Sequence, residues 1–358
     1  MASVAAHLTL LVPGLFGPRP SVEEDAQGEA LRYLCEGLPL AALERLLSRA
    51  VPVACPWLGG GMEEIVARAL GYEVATGVPF PFASITHRCE SGGETGGWCL
   101  RADPVHLKAD LHSLRLSEPG TLGIEWAEAV QLLAELSTHF SGEPWRLEAW
   151  HPERWYLCGT EGEPGFTSVP PSLAAPLPLT PDTVQGPRAR YWRSILNEAQ
   201  MLMHASPVNE RRVSRGATAI NSMWLWGGGR NPPKAAGPWR SVLADDELVR
   251  MLTEYSGLVV RSVPPSLGQI GLDEGSHLMV LGELYRPQLM RDVEAWRDAM
   301  SSLCSRVFIP LARLLACGHL AEVTIAPGSA RSFHLTRRRS RRWWVRAAPL
   351  PTFMAGAG

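Results

Sequence analysis

The stretch SPVNERRVSRGATAINSMWLWGGGRNP, residues 206–232, carries the strongest local pattern in this chain. Its first half is polar and rich in arginine. Its second half, INSMWLWGGG, is an apolar run that ends in three glycines, the pattern of a buried strand that enters a tight turn. We therefore predict a strand here, with a loop at its carboxyl end, the position at which open α/β sheets bind ligands.

Four polar side chains around this strand could hydrogen-bond an anionic ligand through an amide or guanidinium group. They are Asn209, Arg212, Asn221 and Arg230. In the opposing interpretation the glycines form a solvated turn and Trp224 and Trp226 anchor the strand in a core, because aromatic strand residues usually serve packing. The residues alone leave both interpretations open.

Outside this stretch, strand-like runs alternate with helical ones, which indicates an α/β class with a largely parallel sheet. The predicted strands are residues 8–12, WRLEAW (145–150), RWYLC (154–158), LVVRSV (258–263), HLMVLG (277–282), AEVTIA (321–326) and WWVR (343–346). Apolar residues at helical spacing predict a helix over 125–140. Residues 159–190 contain seven prolines, which predicts a long connection without regular structure.

The charge of the chain is unevenly distributed. The 358 residues have a formal net charge of −2, yet no acidic residue follows Glu322 and seven arginines do, so the C-terminal end carries +7. The run RRRSRRWWVR (337–346) combines arginines with aromatic residues, which suits phosphate contacts and base stacking and makes nucleic acid or an acidic protein a candidate partner. The alternative is an edge strand with a solvated basic face.

The seven cysteines are odd in number and include no C-x-x-C pair, so we expect neither a zinc ribbon nor a disulfide scaffold. No apolar stretch approaches the roughly 20 residues that a membrane crossing needs. The N-terminal apolar run is halted at Pro13 and lacks a preceding basic region. We predict a cytoplasmic protein without a membrane partner.

A second group of candidate ligand-binding residues lies in LRADPVHLKAD, residues 100–110. Arg101, Asp103 and His106 could line a pocket, or they could decorate a strand and turn, since Asp before Pro is a good turn initiator. His106 is a candidate general base, although a single histidine is more often structural. The common sequence signatures of phosphate-binding loops, zinc proteases and serine hydrolases do not occur.

Residues 206–232 resemble a segment of the archaeal-type cofactor-independent phosphoglycerate mutases, which reads H-P-[VI]-N-x-x-R and then G-x-x-x-A-N-x-[IM]-W-L-W-G-x-G-x-x-P. Weaker similarities follow in the family's order. LLVPGLFGPRP (10–20) stands where the family has D-G-x-G-D-R-P, GGGMEEIVARALGY (59–72) where it has G-S-x-x-A-x-x-x-L-G-Y, and WCLRADPVHLKAD (98–110) is similar to the opening of its inserted domain. The chain also resembles a bacterial branch labelled as regulatory proteins of the RpfE type.

This resemblance implies the fold of the alkaline-phosphatase-like superfamily. We accordingly expect a three-layer αβα core made of residues 1–90 and 190–350. A smaller inserted α+β domain is expected over residues 91–189, with the proline-rich linker at 159–189.

The resemblance also implies a serine nucleophile and two divalent metals, and the matching positions lack the residues that such a site needs. Pro13 stands in place of an aspartate ligand and Met62 in place of the serine. LGELYRPQLMRDVEAW (281–296) and IAPGSAR (325–331) replace two ligand motifs, and His334 corresponds to the terminal histidine ligand. We therefore predict no catalytic residue of the family type, no bound metal and no cofactor.

Two functional hypotheses follow. The first is a non-catalytic, mutase-like regulatory protein that binds a phosphorylated small molecule or a regulatory protein partner. Its candidate ligand-binding residues are Arg101, Asp103, His106, Asn209, Arg212, Asn221 and Arg230. The second is an active phosphoglycerate mutase or other phosphoester-processing enzyme with a rearranged site, built from Asp103, His106, Glu283 or Asp292.

Overall fold

The computed structural model describes residues 6–18, 29–57, 59–75, 77–93, 96–109, 114–117, 120–175, 179 and 184–354. The strands in these ranges are β1 (Ala6–Leu11), β2 (Val51–Ala54), β3 (Trp98–Val105), β4 (Leu107–Ala109), β5 (Leu114–Leu116), β6 (Trp145–His151), β7 (Arg154–Gly159), β8 (Ser222–Gly229), β9 (Ser241–Leu243), β10 (Val259–Arg261), β11 (Ser276–Val280), β12 (Leu320–Ala326) and β13 (Arg331–Thr336).

The α-helices in the same ranges are α1 (Glu29–Cys35), α2 (Ala41–Arg49), α3 (Met62–Leu70), α4 (Phe82–Ser91), α5 (Trp126–His139), α6 (Pro171–Ala174), α7 (Ala189–Ala205), α8 (Pro207–Ser214), α9 (Glu247–Tyr255), α10 (Tyr285–Met290), α11 (Val293–Leu303), α12 (Ile309–Cys317), α13 (Arg337–Ser340) and α14 (Pro351–Met354). A π-helical turn, Cys304–Phe308, joins α11 to α12. It lies directly before Pro310, which cannot donate a backbone hydrogen bond.

The chain divides into two compact units, Met1–Tyr72 with Ala235–Gly358 and Glu73–Lys234. We call them the core unit and the inserted unit. The inserted unit is wider than the domain predicted at 91–189, because α4, α7, α8 and β8 all belong to it. The reason is hydrogen bonding: β8 pairs along most of its length with β3, so the chain returns to the core unit only after β8.

The core unit is built on a seven-stranded sheet of order β10-β9-β11-β1-β12-β13-β2. The strands from β10 to β12 are parallel and β13 and β2 are antiparallel additions, so the predicted, largely parallel sheet is confirmed. At one edge β2 is exposed and contains Pro52, a residue that sheets tolerate at edges.

Helices cover both faces of this sheet, which gives the three-layer αβα architecture. Side chains of successive strand residues point to opposite faces. In β1, Leu8 and Leu10 pack into one apolar cluster with α2, α11 and α12. Leu11 is equally buried but lies outside that cluster. Val66 of α3 and Leu252 of α9 are also buried outside it, and α3 and α9 contact each other.

The inserted unit contains an antiparallel sheet of order β6-β7-β3-β8 and the separate hairpin β4-β5. One sheet face packs on α5 and α7 around Trp155 and Trp192, both fully buried. The strand predicted at INSMWLWGGG is confirmed as β8, but it belongs to this sheet. The predicted strands at 145–150 and 154–158 and the helix at 125–140 are confirmed as β6, β7 and α5.

Two local predictions were wrong. The proline-rich stretch 159–190 contains the short helix α6, and its described part packs within the inserted unit: Trp192 donates a hydrogen bond to the Pro164 carbonyl at 2.7 Å. The C-terminal WWVR is not a strand, since β13 ends at Thr336 and the arginines begin a short helix, α13. Thr336 caps that helix with its side chain, and this cap stops the strand before the arginine run.

One continuous helical stretch, Val293–Cys317, is long and apolar enough to cross a membrane by length and composition. Its apolar residues Trp296, Met300, Phe308 and Leu311 are fully buried in the cluster formed with the sheet of the core unit. The stretch is therefore accounted for as a core helix.

Candidate functional site

The N-terminus of α3 is the position where the resemblance implies a nucleophile. Gly61 precedes the helix without a side-chain cap, and the backbone N–H of Met62 donates a hydrogen bond to the Tyr285 hydroxyl at 3.1 Å. Burial raises the pKa of Tyr285, and the nearby Glu63 carboxylate raises it further. The phenol therefore stays protonated, and the group at this helix end is a neutral hydroxyl.

The Met62 side chain fills the adjoining space. A Cβ added to Gly282 would lie 2.6 Å from the Met62 methyl group, so the thioether packs directly on the backbone that follows β11. Backbone also closes the other side: Gly14 adopts φ +86°, and a Cβ there would lie 2.4 Å from the Leu284 carbonyl oxygen. These close contacts leave apolar packing at the end of β1, where the family places a metal ligand.

The remaining polar residues of this region are engaged elsewhere in the core unit. Glu283 forms an ion pair with Arg306. Asp292 caps α11 by accepting a hydrogen bond from the Ala295 N–H at 3.0 Å. His334 lies on β13 with its Nδ1 3.2 Å from the Thr324 hydroxyl.

The two metals implied by the resemblance do not fit these residues. In the described part of the chain, a single group of three or more His, Cys, Asp or Glu side chains brings its ligand atoms within 4.8 Å of one another, and it consists of His87, Cys99 and Cys158. That group belongs to the inserted unit and includes none of the positions that correspond to family ligands. Pro13 and Met62 have no side-chain oxygen or nitrogen to offer.

The inserted unit carries a second candidate site on the sheet face that α4 covers, which we call the polar face. Alternation along β3 points Leu100 and Ala102 into the apolar core and turns Cys99, Arg101 and Asp103 to this face. The same alternation on the other strands directs Glu148, Arg154, Tyr156, Cys158 and Trp226 to this face. The helix α4 contributes His87 and Glu90.

Arg101 and Asp103 form a buried ion pair at the centre of the polar face. Arg101 donates from Nε and Nη2 to Asp103 Oδ1 at 2.8 and 2.6 Å, and Trp226 Nε1 donates to Oδ2 at 2.7 Å. The guanidinium lies 5.3 Å from the ring centroids of both Tyr156 and Trp226. Burial raises the pKa of the Asp103 carboxyl, while Arg101 and the indole N–H act in the opposite direction.

Two further acid–base contacts extend the polar face. Glu90 of α4 pairs with Arg154 and accepts a hydrogen bond from the Tyr156 hydroxyl at 2.6 Å. His87 Nε2 donates to Glu148 at 2.9 Å, and this hydrogen bond lowers the pKa of Glu148. The polar face is thus internally paired, with each charge held against its opposite.

Arg212 is fully buried in a separate network of the inserted unit. Its three guanidinium nitrogens donate to the Thr218 carbonyl at 2.8 Å, the Leu122 carbonyl at 2.6 Å and the Glu128 carboxylate at 2.5 Å. Arg215 donates to the other Glu128 oxygen at 2.7 Å. All three guanidinium nitrogens of Arg212 are therefore engaged within the protein.

The two predicted asparagines hold backbone. Asn209 donates to the carbonyls of Met203 and Ile220 and accepts from the Ile220 N–H, all at 2.7–2.8 Å. Asn221 pairs with both backbone groups of Leu107, at 2.7 and 2.9 Å. Both amides thus replace strand-like backbone hydrogen bonds.

His106 and Arg230 complete the set. His106 Nδ1 donates to the Ala219 carbonyl at 2.9 Å. Arg230 is exposed, and its single recorded contact is a 3.2 Å hydrogen bond to the Gly162 carbonyl. Of the seven predicted residues, only Arg101 and Asp103 form a pair with each other. The other five lie at separate points of the inserted unit, and Arg230 is exposed to solvent. Ligand binding by these residues stays a prediction.

The glycine triplet of β8 serves close packing. A Cβ on Gly228 would lie 2.9 Å from Leu100, and one on Gly229 would lie 2.8 Å from Pro81. Gly227 adopts φ +63° beside Phe82. Gly227 and Gly229 let the N-terminal end of α4 approach the strand, and Gly228 packs on Leu100, which supports the packing interpretation over an open ligand loop.

Sequence reasoning missed several members of these networks, notably Glu90, Glu128 and Tyr156. Period-two alternation in β3 and β7 could have placed Arg101, Asp103 and Tyr156 on a common face. The pairing of Arg212 with Glu128 spans 84 positions and leaves no local signal.

A disulfide joins Cys99 of β3 to Cys158 of β7, at directly opposed positions of the two strands. The cysteine count did not predict this pair. Five other cysteines are free: Cys35, Cys55, Cys89, Cys304 and Cys317. This one disulfide links β3 to β7 on the polar face. A single bridge does not make the protein a disulfide scaffold.

Reducing this disulfide is expected to lower the free energy of unfolding by about 2–4 kcal/mol, because the bond closes a loop with a sequence separation of 59 and restricts the unfolded chain. Denaturant titrations with and without dithiothreitol measure the effect. Cys99→Ala/Cys158→Ala should show the same loss and no response to reductant, whereas the exposed control Cys317→Ser should behave as wild type. Equal midpoints with and without reductant in the wild type would contradict a bridging role.

No family model matches the chain. It is 25% identical over 176 residues to a protein of Geobacter sulfurreducens named probable 2,3-bisphosphoglycerate-independent phosphoglycerate mutase, covering 48% of this chain and 44% of the relative. It is 31% identical over 107 residues to such a mutase of Methanothrix thermoacetophila, covering 28% and 27% of the two chains. The chain thus matches less than half of the length of these curated relatives.

Among solved structures, the PH0037 protein from Pyrococcus horikoshii aligns with a TM-score of 0.50 at 12% identity, over 94% of this chain and 88% of that one. This match concerns the fold alone. The cofactor-independent phosphoglycerate mutase of Thermoplasma acidophilum aligns over 93% and 90% of the two chains at 15% identity with a TM-score of 0.39, and nothing is argued from it.

The core unit has a three-layer αβα fold, and the positions that the resemblance assigns to a nucleophile and a metal ligand hold Met62 and Pro13. The sequence similarities confirm the relationship that residues 206–232 predicted. Over part of its length, the chain is similar to the 2,3-bisphosphoglycerate-independent phosphoglycerate mutases.

Proposed function

We propose that this chain is a non-catalytic member of the mutase family that acts in regulation by binding a phosphorylated small molecule or a regulatory protein partner. One observation carries the proposal: Met62 occupies the nucleophile position, packed on Gly282, with its N–H bonded to the Tyr285 phenol. Phosphoryl transfer through a covalent intermediate needs an activated hydroxyl there, and a thioether cannot supply one. Pro13 removes a metal ligand from the same region.

The residues of a rearranged active site do not favour the enzymatic alternative. Glu283 and Asp292 are engaged in an ion pair and a helix cap within the core unit, and Asp103 is paired with Arg101 within the inserted unit. A cytoplasmic location remains part of the proposal.

The purified full chain is expected to show no mutase or phosphatase turnover with Mn²⁺, Mg²⁺, Co²⁺ or Zn²⁺, and no thermal stabilisation by Mn²⁺ alone. The measurements are a coupled assay with 3-phosphoglycerate, hydrolysis of p-nitrophenyl phosphate, and thermal unfolding. An active mutase in the same buffers serves as positive control. Metal-dependent turnover together with stabilisation by Mn²⁺ would overturn the non-catalytic assignment.

The same thermal unfolding assay tests whether the chain binds a phosphorylated small molecule. If a phosphoglycerate is bound, a concentration of about 100 times its Kd should stabilise the protein by about 2.7 kcal/mol. Arg230→Gln should reduce that gain, because Arg230 is the predicted ligand residue whose guanidinium stays exposed. Arg193→Gln, an exposed arginine on α7 of the same unit, is the matched control. No stabilisation by 2- or 3-phosphoglycerate would remove phosphoglycerates as the ligand.

A further inference from the structure

The arginine-rich C-terminal segment forms a cleft in the core unit. The cleft has a volume of about 430 Å³ and is lined by Arg337, Arg338, Arg341, Trp343 and Trp344. Trp343 is 82% exposed, the highest value among the large apolar side chains in the described ranges, and Trp344 is 64% exposed. Two tryptophans left open to solvent beside three arginines are not explained by core packing.

The segment is fastened to the core on both sides of the cleft. Arg49 of α2 donates to the Ser340 carbonyl at 2.5 Å, and Arg339 donates from Nε to the Arg49 carbonyl at 3.0 Å. Beyond the tryptophans, Leu350 is fully buried in the main apolar cluster. These anchors hold the intervening residues in place, so the cleft is a feature of the fold.

The arginines of the cleft differ from the buried arginines of the inserted unit. Arg101 and Arg212 each face a carboxylate, whereas no ion pair to a described acidic residue is recorded for Arg337, Arg338 or Arg341. No acidic residue follows Glu322 in the sequence, so the segment itself contributes only positive charge. No ion pair among the described residues offsets the charge of these three arginines.

Two of these guanidinium groups are positioned by the end of α12. Gly318 closes that helix at φ +85°, and a Cβ there would lie 2.3 Å from Arg337 Cζ, so the guanidinium packs directly on this glycine. Arg341 donates to the Ala316 carbonyl at 3.3 Å. The last carbonyls of a helix favour cations, which places both groups without neutralising them.

The geometry points to single-stranded nucleic acid as the occupant of this cleft. Guanidinium groups bind backbone phosphates, and exposed indole rings stack on bases, a combination typical of surfaces that bind single strands without sequence preference. The indole planes of Trp343 and Trp344 lie at 86° with centroids 6.1 Å apart, an edge-to-face contact in which the two rings face different directions. A duplex would offer phosphates to the arginines but no base face to the tryptophans.

The test is fluorescence anisotropy of a labelled oligothymidylate of about 15 nucleotides with the full chain, a length in the range of single-strand binding sites. Three phosphate contacts predict a slope of about −2 in log K against log salt, or about a 20-fold loss of affinity between about 50 and 200 mM salt. Arg338→Gln should make that slope shallower by about 0.7. Trp343→Ala should weaken binding by at least about fivefold, as expected for the loss of one base stack.

Matched controls separate this surface from general charge and from misfolding. Arg261→Gln changes an exposed arginine on β10, at the opposite end of the same sheet, and Trp126→Ala changes a half-exposed tryptophan on α5. Both should bind as wild type, and all variants should keep the wild-type circular dichroism spectrum. Three results would each overturn the proposal: no binding at about 50 mM salt, equally tight binding of adenosine monophosphate, or binding to phosphatidylglycerol vesicles without binding to the oligomer.

Discussion

Replacing Arg212 with alanine is expected to lower the free energy of unfolding by about 3–5 kcal/mol, the cost of removing one partner from a buried ion pair. The Arg212 side chain is 0% exposed, and its loss leaves two carbonyls and one carboxylate oxygen without their donor. Arg215 still contacts the second Glu128 oxygen and limits the loss. Chemical denaturation followed by circular dichroism measures the effect.

The neighbouring Arg211 supplies the matched control. It is exposed and donates to Gln131 at 2.6 Å, so Arg211→Ala should cost less than about 1 kcal/mol. If Arg212→Ala does not fold, Arg212→Lys keeps the charge but loses the fork of donors, and an intermediate loss is expected. A stable Arg212→Ala protein that has lost only phosphoglycerate binding would instead assign Arg212 to a ligand.

The second large effect is expected at the centre of the polar face. Arg101→Met leaves the Asp103 carboxylate buried without its countercharge and should also cost about 3–5 kcal/mol. The loss should be partly restored in Arg101→Met/Asp103→Leu, because apolar side chains remove both charges from the interior, while the Trp226 N–H loses its acceptor. Unfolding of the two single variants and the double variant completes a thermodynamic cycle.

The cycle distinguishes a structural pair from a ligand site. If the pair is structural, the double variant is destabilised far less than the sum of the two single changes, and that difference is the coupling energy. Glu148→Gln on the same face, whose partner His87 remains hydrogen-bonded to an amide, is a milder control. Additive effects of the Arg101 and Asp103 changes, with near wild-type stability in Arg101→Met, would show that the pair does not stabilise the fold.

Much of the fold could be predicted because it rests on local patterns. The apolar runs of β1, β11 and β12 and the helical period of α5 identify these elements without reference to any other part of the chain. The domain boundary could not be found in this way. β8 is a clear strand by pattern, but its assignment to the inserted unit follows from hydrogen bonds to β3, more than a hundred residues earlier.

The candidate site, too, could be predicted only in part from the sequence. The absence of a nucleophile at Met62 and of a ligand at Pro13 could be read directly, since side-chain chemistry does not depend on folding. The roles of Arg101, Asn209 and Arg212 could not, because identical side chains serve ligands or backbone according to what surrounds them. Arg212 and Arg338 look alike in a sequence, and only the structure shows Glu128 beside the first.

The sequence by itself indicated an α/β protein similar to the mutases, with Pro13 and Met62 at positions where that family has a metal ligand and a nucleophile. Both conclusions depend on residue identity and spacing. Only the tertiary structure decided which arginines are neutralised, that β8 and its glycines pack against α4, and that Cys99 meets Cys158. Those facts depend on contacts between distant segments, whose energies arise only when folding brings the partners together and excludes water from between them.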